Sequence, residues 1–418
     1  MSTGTLDIWV YADWVEIKGP GCIGMLTVQQ ARGKKAFSFE YDKAWLQRPE
    51  KILLDPDIQW FSGRHFPAGK ENFGVIMDSM PDTWGRTLMR RKASHSAILE
   101  GRHIPILYET DYLLGVFDES RMGALRFKTN PEEPFLDSNP QFPTPPWAKI
   151  QELQKSAKEL ELSDDPETTN RWLDILIAPG SSLGGARPKA NILDENKHPW
   201  IAKFPSKNDH LDKAAWEYLA WCLAVKCGIN MAPCKIEMIS GPRHTFFTKR
   251  FDRQGTKRIH FASAMTMTGY TEEMLRDRNA SYLDIAEFIQ FSCSAVKNNL
   301  HQLWRRIVFN IAISNTDDHL RNHGFLIQNN GWMLSPAFDL NPSVDKTGLA
   351  LNIDIDNNSL DFKLARSVGE YFLLSKKEMD LILDEVIAAV SDWKTIAKRI
   401  GISGGEMEYM ERAFLQTK

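Results

Sequence analysis

Asp317 and Asn322 stand five residues apart in Asn315-Thr-Asp-Asp-His-Leu-Arg-Asn322, and a further acid, Asp339, closes Leu334-Ser-Pro-Ala-Phe-Asp339. In that order the three side chains meet the needs of phosphoryl transfer from a nucleoside triphosphate. One carboxylate faces the accepting hydroxyl. An amide oxygen and a second carboxylate hold magnesium, a hard cation that takes oxygen ligands. The spacing alone is weak, because an Asp with an Asn at the fifth following position arises by chance roughly once in a chain of this length. Density argues more strongly. Asn315, Asp317, Asp318, His319, Arg321, Asn322 and His323 crowd between an apolar helix over Ile307–Ile313 and an apolar strand over Phe325–Ile327. A corner needs only one or two such turn formers.

Three earlier segments fit the same chemistry. Ser181-Ser-Leu-Gly-Gly-Ala-Arg-Pro-Lys189 offers adjacent glycines, Gly184 and Gly185, directly before a predicted strand. Glycine lets a backbone approach phosphate oxygens closely. Taken alone the pair reads as a tight turn, since it matches neither Gly-x-Gly-x-x-Gly nor a Walker A sequence. Lys203 ends the next strand and could neutralise phosphates once a carboxylate orients it. Glu217, on the following helix, is its natural partner. The plain alternative is a surface lysine. Thr248-Lys-Arg-Phe-Asp-Arg253 follows a strand and precedes the helical half, where a connector between two lobes would offer backbone groups to an adenine edge.

The elements that must position these residues follow from periodicity. Strands are predicted over Leu6–Tyr11, Gly24–Val28, Ala36–Tyr41, Pro188–Leu193, Pro199–Phe204, Lys235–Ile239 and Thr245–Lys249. Helices are predicted over Asp82–Lys92, Trp147–Leu162, Leu211–Lys226 (stopped by Gly228) and Leu300–Ile313. Ser375-Lys-Lys-Glu378 is a capping box opening another helix. Arg86, Arg90 and Arg91 form a basic stripe on the first helix. A solvated face is its ordinary explanation, and contact with nucleic-acid phosphates is the other. Six prolines between Pro131 and Pro146 mark an extended, non-helical stretch. The division expected is a mainly β N-terminal module (1–130), a proline-rich linker (131–147), a sheet lobe with the Gly-rich loop (148–256) and a helical lobe (257–418). The fold class is α+β, with strands first and helices after.

Bulk properties narrow the classes. The 418 residues exceed one ordinary core. A net charge of −3 gives no global argument for nucleic acid. No apolar run approaches bilayer length, so no membrane contact is expected. Five cysteines without a Cys-x-x-Cys pair, and a start lacking a basic-then-apolar leader, point to thiols in the cytoplasm rather than disulfides or zinc.

Four stretches together resemble the HipA family of serine/threonine kinases, the toxin halves of bacterial toxin–antitoxin pairs. They are Ser-Leu-Gly-Gly-Ala-Arg-Pro-Lys189, Lys-Arg-Phe-Asp-Arg253, Asn-Thr-Asp-Asp-His-Leu-Arg-Asn-His-Gly324 and Leu-Ser-Pro-Ala-Phe-Asp-Leu-Asn341. Gly24-Met-Leu and Met80-Pro-Asp-Thr-Trp-Gly-Arg86 extend the likeness to the N-terminal module. The resemblance implies a two-lobe kinase fold with an added N-terminal subdomain. It implies Asp317 as catalytic acid/base and Asn322 and Asp339 as magnesium ligands. Lys203 becomes the ATP-contacting lysine, and Lys249 and Phe251 give main-chain contacts to adenine. Ser182, with Ser181 as competitor, matches a loop serine whose autophosphorylation silences the enzyme. The implied partner is a small helix-turn-helix antitoxin through which DNA is reached. The implied substrate is a protein, such as a translation factor or an aminoacyl-tRNA synthetase. Two alternatives stand beside this: a small-molecule phosphotransferase of aminoglycoside-kinase type, and a non-catalytic partner in a DNA complex.

Overall fold

Alternating burial builds the first sheet. In Thr5–Ala12 (β1), Ile8, Val10 and Ala12 point inward while their neighbours stay partly exposed. β1 pairs antiparallel with Gly21–Ala31 (β2), Ile8 opposite Leu26, and β2 pairs in turn with Lys34–Tyr41 (β3). Arg64–His65 (β4) and Leu125–Lys128 (β5) complete the order β4-β3-β2-β1-β5. The structure is a computed structural model that describes residues 4–31, 34–138, 144–162, 172–177, 180, 185–277, 279–328 and 331–417. The fold class is α+β, as the order of strands and helices implied. The chain divides into two compact units, residues 1–209 with 237–262, and residues 210–236 with 263–418.

The first unit carries the N-terminal sheet and a second antiparallel set, Lys189–Leu193 (β6), Pro199–Lys203 (β7) and Thr245–Lys249 (β8). In their register Lys203 lies opposite Lys189 on one side and Phe246 on the other. The helix Thr83–Leu99 (α1) runs seven residues past its predicted end at Lys92. Trp147–Lys149 forms a single 3-10 turn before the helix Ile150–Leu162 (α2). Trp84 and Leu88 of α1 share a core with Leu153, Ala157 and Leu160 of α2, Ala190 and Ile192 of β6, Ala202 of β7 and Phe247 of β8. Each large apolar side chain there contributes about 1.5–3 kcal/mol on leaving water. The proline-rich stretch 131–147 therefore lies within one unit, whose core draws on residues from both sides of it.

The second unit is helical. Asp212 caps Lys213–Lys226 (α3) by accepting from the Ala215 amide, and Gly228, at φ +73°, ends the turn that follows. Ser281 and Asp284 close a capping box on Tyr282–Ser292 (α4). Val296–Ala312 (α5) buries Leu300, Leu303, Trp304, Ile307 and Ile311 along one stripe, together with three polar residues, Asn299, Arg306 and Asn310. Gly324–Gln328 (β9) and Gly331–Leu334 (β10) form a hairpin. The second hairpin strand, Gly-Trp-Met-Leu, alternates in burial but not in residue type and was not foreseen. The Ser375 hydroxyl accepts from the Glu378 amide, and Glu378 accepts in return from the Ser375 amide, opening Lys376–Ser391 (α6) as the sequence required. Trp216, Trp393 and Phe414 stack beside it. Among the described residues no helix is long and apolar enough to cross a membrane.

Candidate active site

The end of α5 sets the geometry of the loop that follows. Ser314 turns into the left-handed region (φ +50°), which breaks the helix and sends the chain back toward it. Asn315 then donates its amide to the Asn310 carbonyl at 2.8 Å and its side-chain Nδ2 to Asn310 Oδ1 at 3.0 Å. Two adjacent acids follow and separate completely. Asp318 is 1% exposed. Its Oδ2 accepts from the Tyr282 hydroxyl at 2.5 Å and from Asn310 Nδ2 and His323 Nε2 at 2.8 Å each. Burial alone would push this carboxyl up. His323, Tyr282 and His319 outweigh that and hold it below its ordinary value. Asp317 faces the other way, with its side chain 79% exposed and Lys346 Nζ at 3.7 Å.

Asn322 is turned by the loop itself. Leu320–Asn322 is a single 3-10 turn, and Asn322 Nδ2 donates to the main-chain carbonyl of Asp317 at 3.0 Å. The bond fixes the amide orientation, because only the nitrogen can donate, and it leaves Oδ1 as the group with unused lone pairs.

Asp339 is brought to the same loop through the backbone. The segments on either side of it are tied down: the Ala337 amide donates to Asn230 O at 2.8 Å, Asn341 N to Asn315 Oδ1 at 3.4 Å and Ser343 N to Ser314 O at 3.1 Å. Asp339 itself adopts φ +59°, a conformation that costs a non-glycine residue about 1–3 kcal/mol and persists only where its surroundings impose it. Asp317, Asn322 and Asp339 thus belong to one hydrogen-bonded assembly within the second unit. An amide oxygen and a carboxylate are donors of the kind magnesium takes. Because Mg²⁺ usually keeps waters and substrate phosphates as its other ligands, one or two protein donors fit it. Glu217, also in this unit, is a buried carboxylate on α3.

The first unit holds the remaining candidates. Ser181, Ser182 and Gly184 lie outside the described residues. Gly185 has φ +80°, a conformation that favours glycine, whereas the nearest atom to a Cβ there, Lys189 Nζ at 2.6 Å, is the end of a flexible side chain that could move aside. Its amide donates to Asp82 Oδ2 at 2.9 Å and its carbonyl accepts from the Trp84 amide at 3.1 Å. Trp84 Nε1 donates to the Lys189 carbonyl at 2.9 Å. The end of the Gly-rich segment is therefore clasped by the first turn of α1. Lys203 closes β7 on the face opposite buried Ala202, its Nζ 5.5 Å from the Phe246 ring.

Beyond Lys249 the burial keeps alternating into the turn at Phe251 and Asp252. Lys249 and Phe251 stay partly exposed, while Arg250 and Asp252 turn inward. Arg250 binds both oxygens of Asp252 at 2.9 and 2.7 Å, the Ser120 and Arg121 carbonyls at 2.6 and 3.0 Å, and Asn191 Oδ1 at 2.8 Å. Arg253 binds Asp252 at 2.6 Å, and the Gly123 amide donates to it at 2.8 Å. Burial would raise the Asp252 carboxyl, but the two guanidiniums hold it far below the usual carboxylate range.

The sequence reading passed over four groups here: Asp82 and Trp84, the Arg250–Asp252–Arg253 set, Asp318 as distinct from Asp317, and Lys346. The period-two pattern of Lys249–Asp252 was the one available signal. Of the basic stripe, Arg90 stays exposed while the other two arginines are engaged by the protein. Arg86 makes a bidentate pair with Glu109 at 2.6 and 2.8 Å and lies over the Tyr112 ring, and Arg91 donates to the Leu160 carbonyl.

Residues 181–393, which span the Gly-rich segment, the connector and the whole catalytic-type loop, match the HipA-like C-terminal domain. The chain belongs to that family. Its full length is also similar in fold to HipA of Shewanella oneidensis MR-1, solved in a toxin–antitoxin complex with HipB and its operator DNA. That likeness covers 98% of this chain and 95% of the other, with a TM-score of 0.65 at 17% identity. A curated relative, a putative kinase of Sinorhizobium fredii, is 23% identical over 212 residues. The match takes in 49% of this chain and only 43% of the relative, so the chain accounts for less than half of that protein.

Proposed function

We propose that this HipA-like chain is an ATP- and Mg²⁺-dependent protein serine/threonine kinase, the toxin half of a toxin–antitoxin pair. One observation carries the reading. An exposed carboxylate, Asp317, shares its loop with an amide, Asn322, whose nitrogen is spent on the Asp317 carbonyl and whose oxygen is left for a ligand.

The residues act as follows. Asp317 orients a Ser or Thr hydroxyl and takes its proton as the oxygen attacks the γ-phosphorus and ADP leaves. Asn322 Oδ1 and the Asp339 carboxylate are the groups that would hold magnesium, which when bound neutralises charge on the phosphates. Lys203 balances phosphate charge, with Glu217 as its orienting carboxylate. The amide of Gly184 approaches the phosphates, that of Gly185 joining it only by leaving Asp82 Oδ2, and the main chain at Lys249 and Phe251 meets the adenine edge. Ser182, or Ser181 beside it, is the site of self-phosphorylation.

HipA of Shewanella oneidensis assembles with HipB and operator DNA, which supports a DNA-binding antitoxin of helix-turn-helix type as partner here. DNA would be reached through that partner, and the phosphate acceptor would be a protein such as a translation factor or an aminoacyl-tRNA synthetase, in the cytoplasm.

Purified protein given Mg²⁺ and γ-labelled ATP should label itself. Asp317→Ala, which removes an exposed side chain, should label about 10²–10⁴-fold more slowly. Equal labelling by the variant removes Asp317 from its role. Transfer to an added aminoglycoside or choline, with no protein labelled, would move the activity to the small-molecule class.

A further inference from the structure

Asp317 has one cation beside it. Lys346 Nζ lies 3.7 Å from Asp317 Oδ1, and the two side chains are 60% and 79% exposed. Among the described residues no other carboxylate pairs with this lysine. An exposed ion pair of that length adds little to stability, so holding the fold together does not account for it. The distance is also longer than a hydrogen bond, which leaves the Asp317 oxygens open to a substrate hydroxyl.

The loop that carries Lys346 is held at both ends. Before it, the Asn341 amide donates to Asn315 Oδ1 at 3.4 Å and the Ser343 amide to the Ser314 carbonyl at 3.1 Å, both acceptors lying in the run that delivers Asp317. The Ser343 hydroxyl then accepts from the Asp345 amide at 3.2 Å and folds the next turn. After it, Gly348 pairs with Ser359, and Leu349 exchanges bonds with Asn358 at 2.9 and 2.6 Å. Only residues 344–347 lie between these anchors, so the backbone keeps Lys346 beside Asp317.

The cations of the Asp317 loop itself are committed elsewhere. Arg321 pairs with Glu272, and His323 bonds to Asp318, the acid on which His319 also acts. Among the described residues of this unit, Lys346 is therefore the cation placed at the exposed end of Asp317.

In phosphoryl transfer, charge spreads over the three equatorial oxygens of the group in flight. A hydroxyl held by Asp317 sits about 2.6–3.2 Å from its carboxylate, and the phosphorus it attacks about 3–3.5 Å beyond. An ammonium on a flexible four-carbon stem, starting 3.7 Å from the same carboxylate, reaches those oxygens by rotation of its own side chain. Its three N–H donors suit a group that carries its charge on three oxygens.

We propose that Lys346 is a further catalytic residue, turning from Asp317 onto the phosphoryl group as that group leaves ADP. The inference rests on the kinase reading. The Ser or Thr oxygen bonds to the γ-phosphorus, the bond to the ADP oxygen breaks, and the hydroxyl proton passes to Asp317. Lys346 supplies charge and hydrogen bonds and exchanges no proton.

The test uses the full chain and Lys346→Met, which removes an exposed charge and should leave the denaturation midpoint unchanged. Titration calorimetry with Mg²⁺ compares ADP alone with ADP plus aluminium fluoride, which stands in for the phosphoryl group in flight. Lys346→Met should bind ADP like the wild type and the aluminium fluoride complex roughly 10–10²-fold more weakly, a smaller loss than a buried, rigid donor would give. Its self-labelling at saturating γ-labelled ATP should slow by a similar factor, with the KM for ATP unchanged. A variant that binds the complex as tightly as wild type, that loses ADP and the complex equally, or whose labelling recovers with more ATP would each overturn the proposal. The kinase reading fails by a different result, labelling by Asp317→Ala as fast as by wild type. Full affinity of Lys346→Met for the complex, in a protein that Asp317→Ala silences, removes the lysine alone.

Discussion

Residues 248–253 and residues 315–323 are both charge-rich runs that leave a buried element, and they handle charge in opposite ways. In the first run every inward charge is spent on the protein: Arg250, Asp252 and Arg253 saturate one another and the carbonyls of residues 120 and 121. In the second run one acid is spent and its neighbour is kept. Asp318 takes three donors, and Asp317 is left facing solvent with a lysine nearby. Abundance of charge does not mark a reactive site. What marks it is a group whose lone pairs the fold has left unused, beside a second group that fixes its position.

The contrast can be broken by deleting one carboxylate from each run. Asp252→Ala strands two buried guanidiniums and should cost about 3–5 kcal/mol of unfolding free energy. Asp317→Ala should stay within about 0.5 kcal/mol of wild type. Guanidinium denaturation of the two variants reads the difference, and equal losses would erase the distinction between spent and unspent acids. A finer cut falls between the adjacent acids. Asp318→Asn keeps one acceptor oxygen but removes the negative charge that Tyr282, Asn310 and His323 share, and should lose about 1–3 kcal/mol in stability together with turnover. Asp317→Asn should lose turnover alone. Turnover and denaturation midpoint measured on both variants decide the matter, and an Asp318→Asn protein with wild-type stability would remove the anchoring role.

A smaller effect concerns His260, in the same unit as the 248–253 run and stacked on Trp14 at 5.5 Å. Burial pulls its imidazole down to about 3. The unfolded chain therefore takes up the proton first as acidity rises. The stability held by the neutral ring is full above about pH 6.5 and declines as pH falls from there toward 3. Between pH 7 and 5.5 the loss should be about 1 kcal/mol, and His260→Phe, which keeps the stack, should reduce it. Denaturation midpoints at the two pH values give the comparison; an unchanged pH dependence in the variant would mean that the ring titrates freely.

Local order was legible because local rules set it. The alternation of β1, the Ser375–Glu378 box and Gly228 after α3 are each decided within a few residues, and the crowding at 315–323 marked a loop that the structure ties together by its own hydrogen bonds. The division of labour between Asp317 and Asp318 was not legible. One residue separates them, and their directions depend on the left-handed turn at Ser314 and the 3-10 turn at Leu320–Asn322. The clasp on Gly185 was also hidden, since Trp84 and the Lys189 carbonyl are 105 residues apart. The arginines of α1 looked like a stripe because helical spacing aligns them. Glu109 and the Leu160 carbonyl, which engage Arg86 and Arg91, come from elsewhere in the chain.

The indole of Trp84 serves two masters, filling space beside Leu153 and Ala190 while its nitrogen secures the strand that leaves the Gly-rich segment. A shortened protein beginning at the boundary of the matched domain would forfeit that wedge along with Leu88 and Asp82. The gap would open beneath β6, and the glycine turn would lose its moorings. Anyone seeking a minimal version of this molecule must therefore carry the helix from the front of the chain along with the back.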